Sequence, residues 1–226
     1  GANLDAMYDS FEVPNSGQNI YLLIWTTTPW TIPSSQAICV APSMEYSLTE
    51  CGVNGRVLRF VLAKSLIDET MGRLKISDYR VIAGCLGSDL GGLVANHPFY
   101  EREIPILVGT HVTADAGTGC VHTAPDHGVD DFNIAKQNGI GTLNYVMSNG
   151  LFSDAVDIFA GEHVYKVDQK VIDLLREKQL LMSCEQFKHS YPHCWRTKTP
   201  LIYRATPQWF ISMEENGLLE KAKTAV

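Results

Sequence analysis

Residues 20–33 read IYLLIWTTTPWTIP, an apolar run that ends in three threonines and a proline. Residues 20–25 are aliphatic or aromatic, and such a run bounded by a proline segment predicts a buried strand that enters a loop. Alternate side chains of a strand face opposite sides, so Thr26 and Thr28 are expected on one side and Thr27 on the other. The run predicts a pocket wall of hydroxyl groups, unless these only satisfy backbone groups at the strand end.

Short strand patterns follow this run at close intervals. They cover residues 37–40, 46–50, 57–62, 79–83, 104–108 and 120–123, with Asn54-Gly55 as a hairpin turn. Helices are the minority, at residues 64–71, 129–137 and 164–178. The last carries an apolar stripe that predicts core packing: Val164, Val167, Val171, Leu174 and Leu175. We therefore expect an α+β fold, a closed or nearly closed β-barrel of many short strands with peripheral helices.

The length and composition fit one folded domain. The chain has 226 residues, of which 45% are hydrophobic and 19% charged, far from the composition of disordered chains. We expect a barrel core over about residues 18–185 and a less periodic arm over about 186–226. The helical pattern of residues 213–226 ends without a cap, which suggests a piece of a longer protein.

Charge and cysteine usage narrow the class. The net charge of −7 argues against a general nucleic-acid binder, because that affinity comes from Lys and Arg. The six cysteines are irregularly spaced, and the chain is too large to need disulfides, so free thiols are expected. No apolar run approaches the ~20 residues of a membrane span. We expect a cytoplasmic protein.

The arm carries two further patterns. Its basic residues lie among aromatic ones, a mixture that suits an RNA backbone and a stacked base but that also occurs on solvated faces: Lys188, Tyr191, Trp195, Arg196, Lys198, Tyr203, Arg204 and Trp209. Cys184, His189, His193 and Cys194 are zinc-ligand types. Their spacing is not a standard one, and adjacent ligands point in different directions, so we expect no metal.

A second segment concentrates polar groups. Residues 117–132 read GTGCVHTAPDHGVDDF, a strand framed by glycines, a turn and a helix start. Taken singly, His122 suits a core histidine and Asp131 suits a helix N-terminus. The sequence contains no dinucleotide fingerprint, phosphate-binding loop, serine elbow or zinc-protease helix, so a covalent nucleophile and a cofactor are not expected.

Together, the two segments resemble the signatures of the editing insertion shared by the isoleucyl-, valyl- and leucyl-tRNA synthetases. Within that group, the Thr-Thr-Thr-Pro-Trp-Thr and Gly-Thr-Gly-x-Val-His-x-Ala-Pro patterns are similar to the isoleucyl enzymes, as is the arm. The signatures of the synthetic active site are missing, so amino-acid activation is not expected. Two positions depart from the pattern: Ser35, where relatives often have Asn, and Thr197, where some have a second zinc-ligating Cys.

The resemblance implies hydrolysis of valine from isoleucine tRNA, and of valyl-adenylate. It implies Thr27, Thr28 and Asp131 as catalytic residues, with Asp131 on the substrate's ammonium. The implied substrate-binding residues are Trp25, Thr26, Thr27, Thr28, Thr31, Ser35, Gly117, Thr118, Gly119, His122 and Asp131. The implied partners are the aminoacylated 3′ end of the tRNA and the rest of the synthetase, with the insertion itself monomeric.

Three alternatives remain open. The first is a non-catalytic barrel that docks the tRNA end or a protein, which would not need His122, Asp131 and the threonines in combination. The second is the editing domain of a valyl or leucyl relative, which would hydrolyse threonyl or methionyl esters. The third is a free-standing deacylase.

Overall fold

The strands of the protein form two four-stranded sheets in the part of the chain that the structure describes. The computed structural model describes residues 2–186, 188 and 190–225. In chain order the strands are β1 (Ile20–Leu22), β2 (Ala37–Val40), β3 (Glu45–Val53), β4 (Arg56–Ala63), β5 (Tyr79–Leu86), β6 (Val94–Asn96), β7 (Glu103–Val108) and β8 (Val121–Thr123). The first sheet has the order β1-β4-β3-β5 and the second the order β6-β7-β2-β8.

The helices lie around these sheets. They are α1 (Ala2–Ser10), α2 (Ile67–Leu74), α3 (Gly87–Leu90), α4 (Val129–Gln137), α5 (Asp168–Glu177) and α6 (Leu218–Thr224). Single 3-10 turns or short 3-10 helices cover Pro29–Ser34, Lys64–Leu66, Val164–Lys166 and Glu215–Gly217. None of the helices in the described ranges is long and apolar enough to cross a membrane.

The predicted class, many short strands with peripheral helices, is confirmed. The closed barrel is wrong in detail, because the described strands pair as two open sheets with β5 and β6 at outer edges. All the predicted strands and helices are present, β2 and α4 with the predicted bounds and the others with shifted ends, whereas α1, α3 and β6 were not predicted. The Asn54-Gly55 turn between β3 and β4 is confirmed, with φ of 52° and 76°, as a tight hairpin requires.

The two sheets meet at one corner. Ile24, just beyond β1, forms a parallel bridge with Cys120, just before β8. The Ala63 N–H donates to the Thr118 carbonyl at 2.8 Å, and the Tyr46 hydroxyl donates to the Gly119 carbonyl at 2.6 Å. Gly119 has a φ of 80°, and a Cβ there would lie 2.4 Å from the Cβ of Ala63. Only glycine allows this approach.

Separate apolar clusters pack the sheets and the 3-10 helix. The largest lies between the sheets and includes Tyr46, Val61 and Ile106, which are fully buried. A second cluster packs Trp30 and Ile32 of the 3-10 helix against an apolar set that includes Val164, Val167 and Val171. The predicted apolar stripe is therefore core, and it fixes the 3-10 helix against α5.

We expect Gly119→Ala to destabilise the fold by roughly 2–5 kcal/mol, because it adds a left-handed backbone cost to a steric clash. Urea unfolding measures this free energy. Gly139→Ala is the matched control, since Gly139 has a φ of 72° and open space around it, and should cost only about 1 kcal/mol. Equal losses in the two variants would contradict the close approach at Gly119.

Candidate active site

A cavity of about 820 Å³ runs along β1 and past the sheet corner. Seven of the predicted site residues line it: Trp25, Thr26, Thr27, Ser35, Gly117, Thr118 and His122. Thr28, Thr31, Gly119 and Asp131 do not line it. The structure thus brings the two signature segments together at one cavity, but it does not place every predicted residue on the cavity surface.

The threonine run turns at the cavity wall. The Thr28 N–H donates to the Thr26 hydroxyl at 3.1 Å, and the two hydroxyl oxygens lie 3.3 Å apart. The predicted pairing of Thr26 with Thr28 is therefore confirmed. Thr27 lines the cavity, and its hydroxyl makes no hydrogen bond to another described residue. It is the hydroxyl of the run that is free to contact a ligand.

Thr31 joins the first segment to the second. Its hydroxyl donates to the Thr28 carbonyl at 2.9 Å and lies 3.1 Å from Nε2 of His122. Since that hydroxyl hydrogen is already used, Nε2 of His122 carries the proton and donates to Thr31. Thr31 is thus a link beneath the cavity wall and not part of its surface.

His122 is a neutral ring. Burial, together with a smaller contribution from the nearby His127, whose positive charge would repel that of His122, lowers its pKa from 6.5 to about 4. Its Nδ1 is buried and has no hydrogen-bond partner in the described ranges. A neutral ring at the cavity wall does not repel a cationic ligand.

Two cavity residues that sequence reasoning missed hold the 3-10 helix. His97 lies 2.9 Å from the Ile32 carbonyl through Nε2, and its Nδ1 accepts from the N–H groups of Phe99 and Tyr100. The Asp168 carboxylate accepts from the Trp30 N–H at 2.9 Å. Both His97 and Asp168 line the cavity. Their partners are 65 and 138 residues away in sequence, so no local pattern predicts these contacts.

His127 attaches the arm behind the site. Its Nδ1 lies 2.8 Å from the Tyr203 carbonyl, and its Nε2 lies 3.1 Å from the Ser34 hydroxyl. The neighbouring Ala205 N–H donates to the Asp126 carbonyl at 2.8 Å. The ring of Trp30 packs edge-on to His127 at 4.8 Å. The arm therefore supports the back of the 3-10 helix.

The glycine loop, residues 117–119, lines the cavity at one end and packs against β4 at the other. Gly117 and Thr118 line the cavity, and the Thr118 hydroxyl forms hydrogen bonds of 3.3–3.4 Å with the backbone carbonyl and N–H of Cys120. Gly119 packs against Ala63 at the sheet corner and does not line the cavity. Ser35 is buried on the cavity wall, with its hydroxyl 3.5 Å from the Ala37 carbonyl.

Asp131 lies in the first turn of α4, beside the turn that follows β8. Its carboxylate accepts from the Ala124 N–H at 2.8 Å. Burial raises its pKa from 3.8, whereas the Ala124 N–H and His111 lower it. In this arrangement Asp131 fixes the turn after His122, and its predicted contact with a substrate ammonium stays a prediction.

The six cysteines are free thiols, as predicted. Within the described part of the chain, no three metal-ligating side chains come together. Of the four zinc-ligand candidates, His189 lies outside the described residues.

The family of the chain is decided by its sequence match over this site. The family described as "Leucyl-tRNA synthetase, editing domain" matches residues 7–161, more than half of the chain. The chain belongs to this editing-domain family. The resemblance inferred from the two segments is thereby confirmed.

Among curated proteins, the editing domain is similar to isoleucine–tRNA ligases. It is 51% identical over 221 residues to that of Marinomonas sp. (strain MWYL1), covering 98% of this chain and 24% of the relative. It is 56% identical over 207 residues to that of Teredinibacter turnerae, covering 92% and 22%. The chain thus spans about a quarter of the length of these relatives.

Solved structures support the fold. The crystal structure of GlLeuRS-CP1 has a TM-score of 0.63 at 18% identity, covering 83% of this chain and 93% of that one. The P. knowlesi cytosolic leucyl-tRNA synthetase editing domain has a TM-score of 0.61 at 12% identity, covering 77% and 90%.

We expect the editing domain to lose stability in acid because of His97. Burial lowers its folded pKa from 6.5 to about 4, so the unfolded chain binds the proton more readily. This contribution is complete above pH 6.5 and is lost as the pH falls towards 4, by up to about 3 kcal/mol. Urea unfolding between pH 7 and pH 4 measures it.

His97→Gln should reduce that pH dependence without abolishing it, since glutamine does not titrate whereas His122, whose pKa is also lowered to about 4, still does. His193→Gln, at an exposed histidine, is the matched control and should keep the wild-type slope. If His97→Gln and the wild type lost stability in parallel, another group would be responsible.

Proposed function

We propose that this domain hydrolyses valine from mischarged isoleucine tRNA, and also hydrolyses the acyl phosphate bond of valyl-adenylate, as the proofreading part of an isoleucyl-tRNA synthetase. The observation that carries the proposal is the joint cavity of the threonine run and His122. The family match and the isoleucine–tRNA ligase relatives support the reaction class. The working partners are the aminoacylated tRNA end and the rest of the synthetase, in the cytoplasm and without a cofactor.

The chemical need for such a site follows from the limits of binding. One missing methylene is worth only ~1–3 kcal/mol, and isoleucine against valine is itself the usual example of this limit. A second site therefore sorts by exclusion, since a clash with an extra methylene costs about 1–3 kcal/mol or more. A wall of small threonines and a fixed imidazole provides such a steric limit.

The hydrolysis itself needs a placed water and not a protein nucleophile. An aminoacyl ester is already activated, so holding water and ester in line lowers the barrier. Thr27 lines the cavity, and its hydroxyl makes no hydrogen bond within the described residues, which supports a role in holding the water or the developing oxyanion. Thr28 acts through its backbone and its contact with Thr26, which keep Thr27 in position.

The proposal is tested by deacylation of Val-tRNA and Ile-tRNA, both on isoleucine tRNA, with Thr27→Val as the key variant. The wild type should release valine faster than isoleucine. Thr27→Val keeps the shape but removes the hydroxyl, so kcat should fall on the order of 100-fold with little change in KM. Thr113→Val, at an exposed threonine, is the matched control.

Three results would contradict the proposal. Equal rates on the two esters would deny the sieve, and binding of the tRNA end without any hydrolysis would favour a docking module. Release of threonine or methionine from the tRNAs of the relatives, instead of valine, would move the domain to the valyl or leucyl group.

A separate prediction concerns Asp131 as the ammonium ligand. Asp131→Asn keeps an acceptor for the Ala124 N–H but removes the charge. If Asp131 binds the ammonium, Asp131→Asn should lower the affinity for a non-hydrolysable valyl-adenosine analogue by about 10- to 100-fold, as expected for the loss of a charged hydrogen bond. An analogue without the amino group should bind both forms equally. Calorimetry provides the affinities.

Asp130→Asn is the control, since Asp130 is exposed in the same helical turn. Wild-type affinity in Asp131→Asn, with loss in Asp131→Ala alone, would show that Asp131 serves the Ala124 turn and not the substrate.

A further inference from the structure

We propose that Asp168 is a positioning residue for the hydrolytic site, which fixes the threonine wall by capping the 3-10 helix from a distant part of the chain. This inference rests on the proposed function. It is carried by three contacts: Asp168 with Trp30, Thr31 with His122, and α5 with the 3-10 helix.

The cap replaces one that the local sequence lacks. The 3-10 helix begins at Pro29, which has no N–H, so the first backbone donor of the helix is that of Trp30. Thr28 precedes the helix in the capping position, but its side chain makes no capping hydrogen bond. The Asp168 carboxylate accepts from the Trp30 N–H at 2.9 Å and takes over this function.

The cap is rigid because α5 is packed onto the same helix. Asp168 is the first residue of α5, and Val167 and Val171 on either side of it are fully buried in the cluster that contains Trp30. A side chain held this way has little freedom, so its oxygen defines the position of the Trp30 backbone.

Hydrogen bonds connect the Trp30 backbone to the cavity wall. The residue after Trp30 is Thr31, whose hydroxyl binds the Thr28 carbonyl and receives the Nε2 proton of His122. Thr28 in turn holds Thr26, next to the free hydroxyl of Thr27. A shift of the helix start therefore moves both the threonine wall and the imidazole.

The acceptor, and not the charge, is what this function requires. Burial raises the pKa of Asp168, so the environment disfavours the charged form, and the Trp30 N–H offsets part of this. An asparagine carbonyl can accept the same N–H. Asp168→Asn is therefore expected to retain the site, whereas Asp168→Ala removes the cap.

The test measures deacylation of Val-tRNA on isoleucine tRNA, with kcat and KM determined separately. Asp168→Ala should lower kcat by about 10-fold or more, with KM and the affinity for a non-hydrolysable valyl-adenosine analogue changed less than about 3-fold. Asp168→Asn should stay within about 3-fold of wild type in all three. Asp173→Ala, at an exposed carboxylate of the same helix, is the matched control.

Two outcomes would overturn the inference. Wild-type kcat in Asp168→Ala would show that the cap is not needed. Equal losses in Asp168→Asn and Asp168→Ala would show that the charge contacts the substrate, so that Asp168 is a binding residue and not a positioning one.

Hydrogen exchange of the Trp30 amide separates this inference from the proposed function. Exchange should be faster in Asp168→Ala than in the wild type and should be restored in Asp168→Asn, whichever ester the domain hydrolyses. If the wild type hydrolysed no ester while the amide behaved in this way, the proposed function would fail and the cap would stand. Unchanged exchange in Asp168→Ala would refute the cap itself.

Discussion

The close approach of Gly119 to Ala63 is the constraint on which the rest of the site depends. A Cβ at Gly119 would lie 2.4 Å from the Cβ of Ala63, so these two backbone segments can approach each other only because Gly119 has no side chain. The Tyr46 hydroxyl then satisfies the Gly119 carbonyl, and the bridge between Ile24 and Cys120 aligns the ends of β1 and β8. The threonine run follows β1 and His122 lies in β8, so both lie close to this corner. Two segments about 90 residues apart in sequence therefore line one cavity.

The hydrogen bonds at this corner fix which nitrogen of His122 carries the proton, and desolvation keeps the ring neutral. The hydroxyl of Thr31 has one hydrogen, which it gives to the Thr28 carbonyl, so His122 must donate from Nε2. The proton of His97 is likewise on Nε2, because two backbone N–H groups donate to its Nδ1. His97 is buried and His122 is half-buried at the cavity wall, and desolvation lowers the pKa of both rings to about 4. On the proposed function, neutral imidazoles suit a cationic aminoacyl substrate, since charged ones would repel its ammonium.

The sequence predicted those features that depend on local periodicity or turn chemistry. Residues 37–40 and 129–137 are the observed spans of β2 and α4, because a short apolar run and a helix start that follows a turn are short-range signals. It missed β6, which has three residues, and it suggested a closed barrel because strand number does not determine closure. Within the site, strand alternation predicted Thr26 and Thr28 on one side, but β1 ends at Leu22 and a hydrogen bond from the Thr28 N–H to the Thr26 hydroxyl sets this pair. The contacts of His97 and Asp168 did not, since tertiary packing alone sets them.

The size of the cavity places the proposed selectivity in one part of it. A space of about 820 Å³ is far larger than a valine side chain, so its total volume does not distinguish valine from isoleucine. Discrimination needs a wall that does not yield to one methylene. On the proposed function, the 3-10 helix makes the wall of threonines and imidazole rigid, because Asp168 holds its start, His97 and Arg102 contact the carbonyls of Ile32 and Pro33, and Trp30 and Ile32 are buried in the core beneath it. On the proposed function, the remaining volume along β1 accommodates the nucleotide end, where a looser fit does not affect the sorting of side chains.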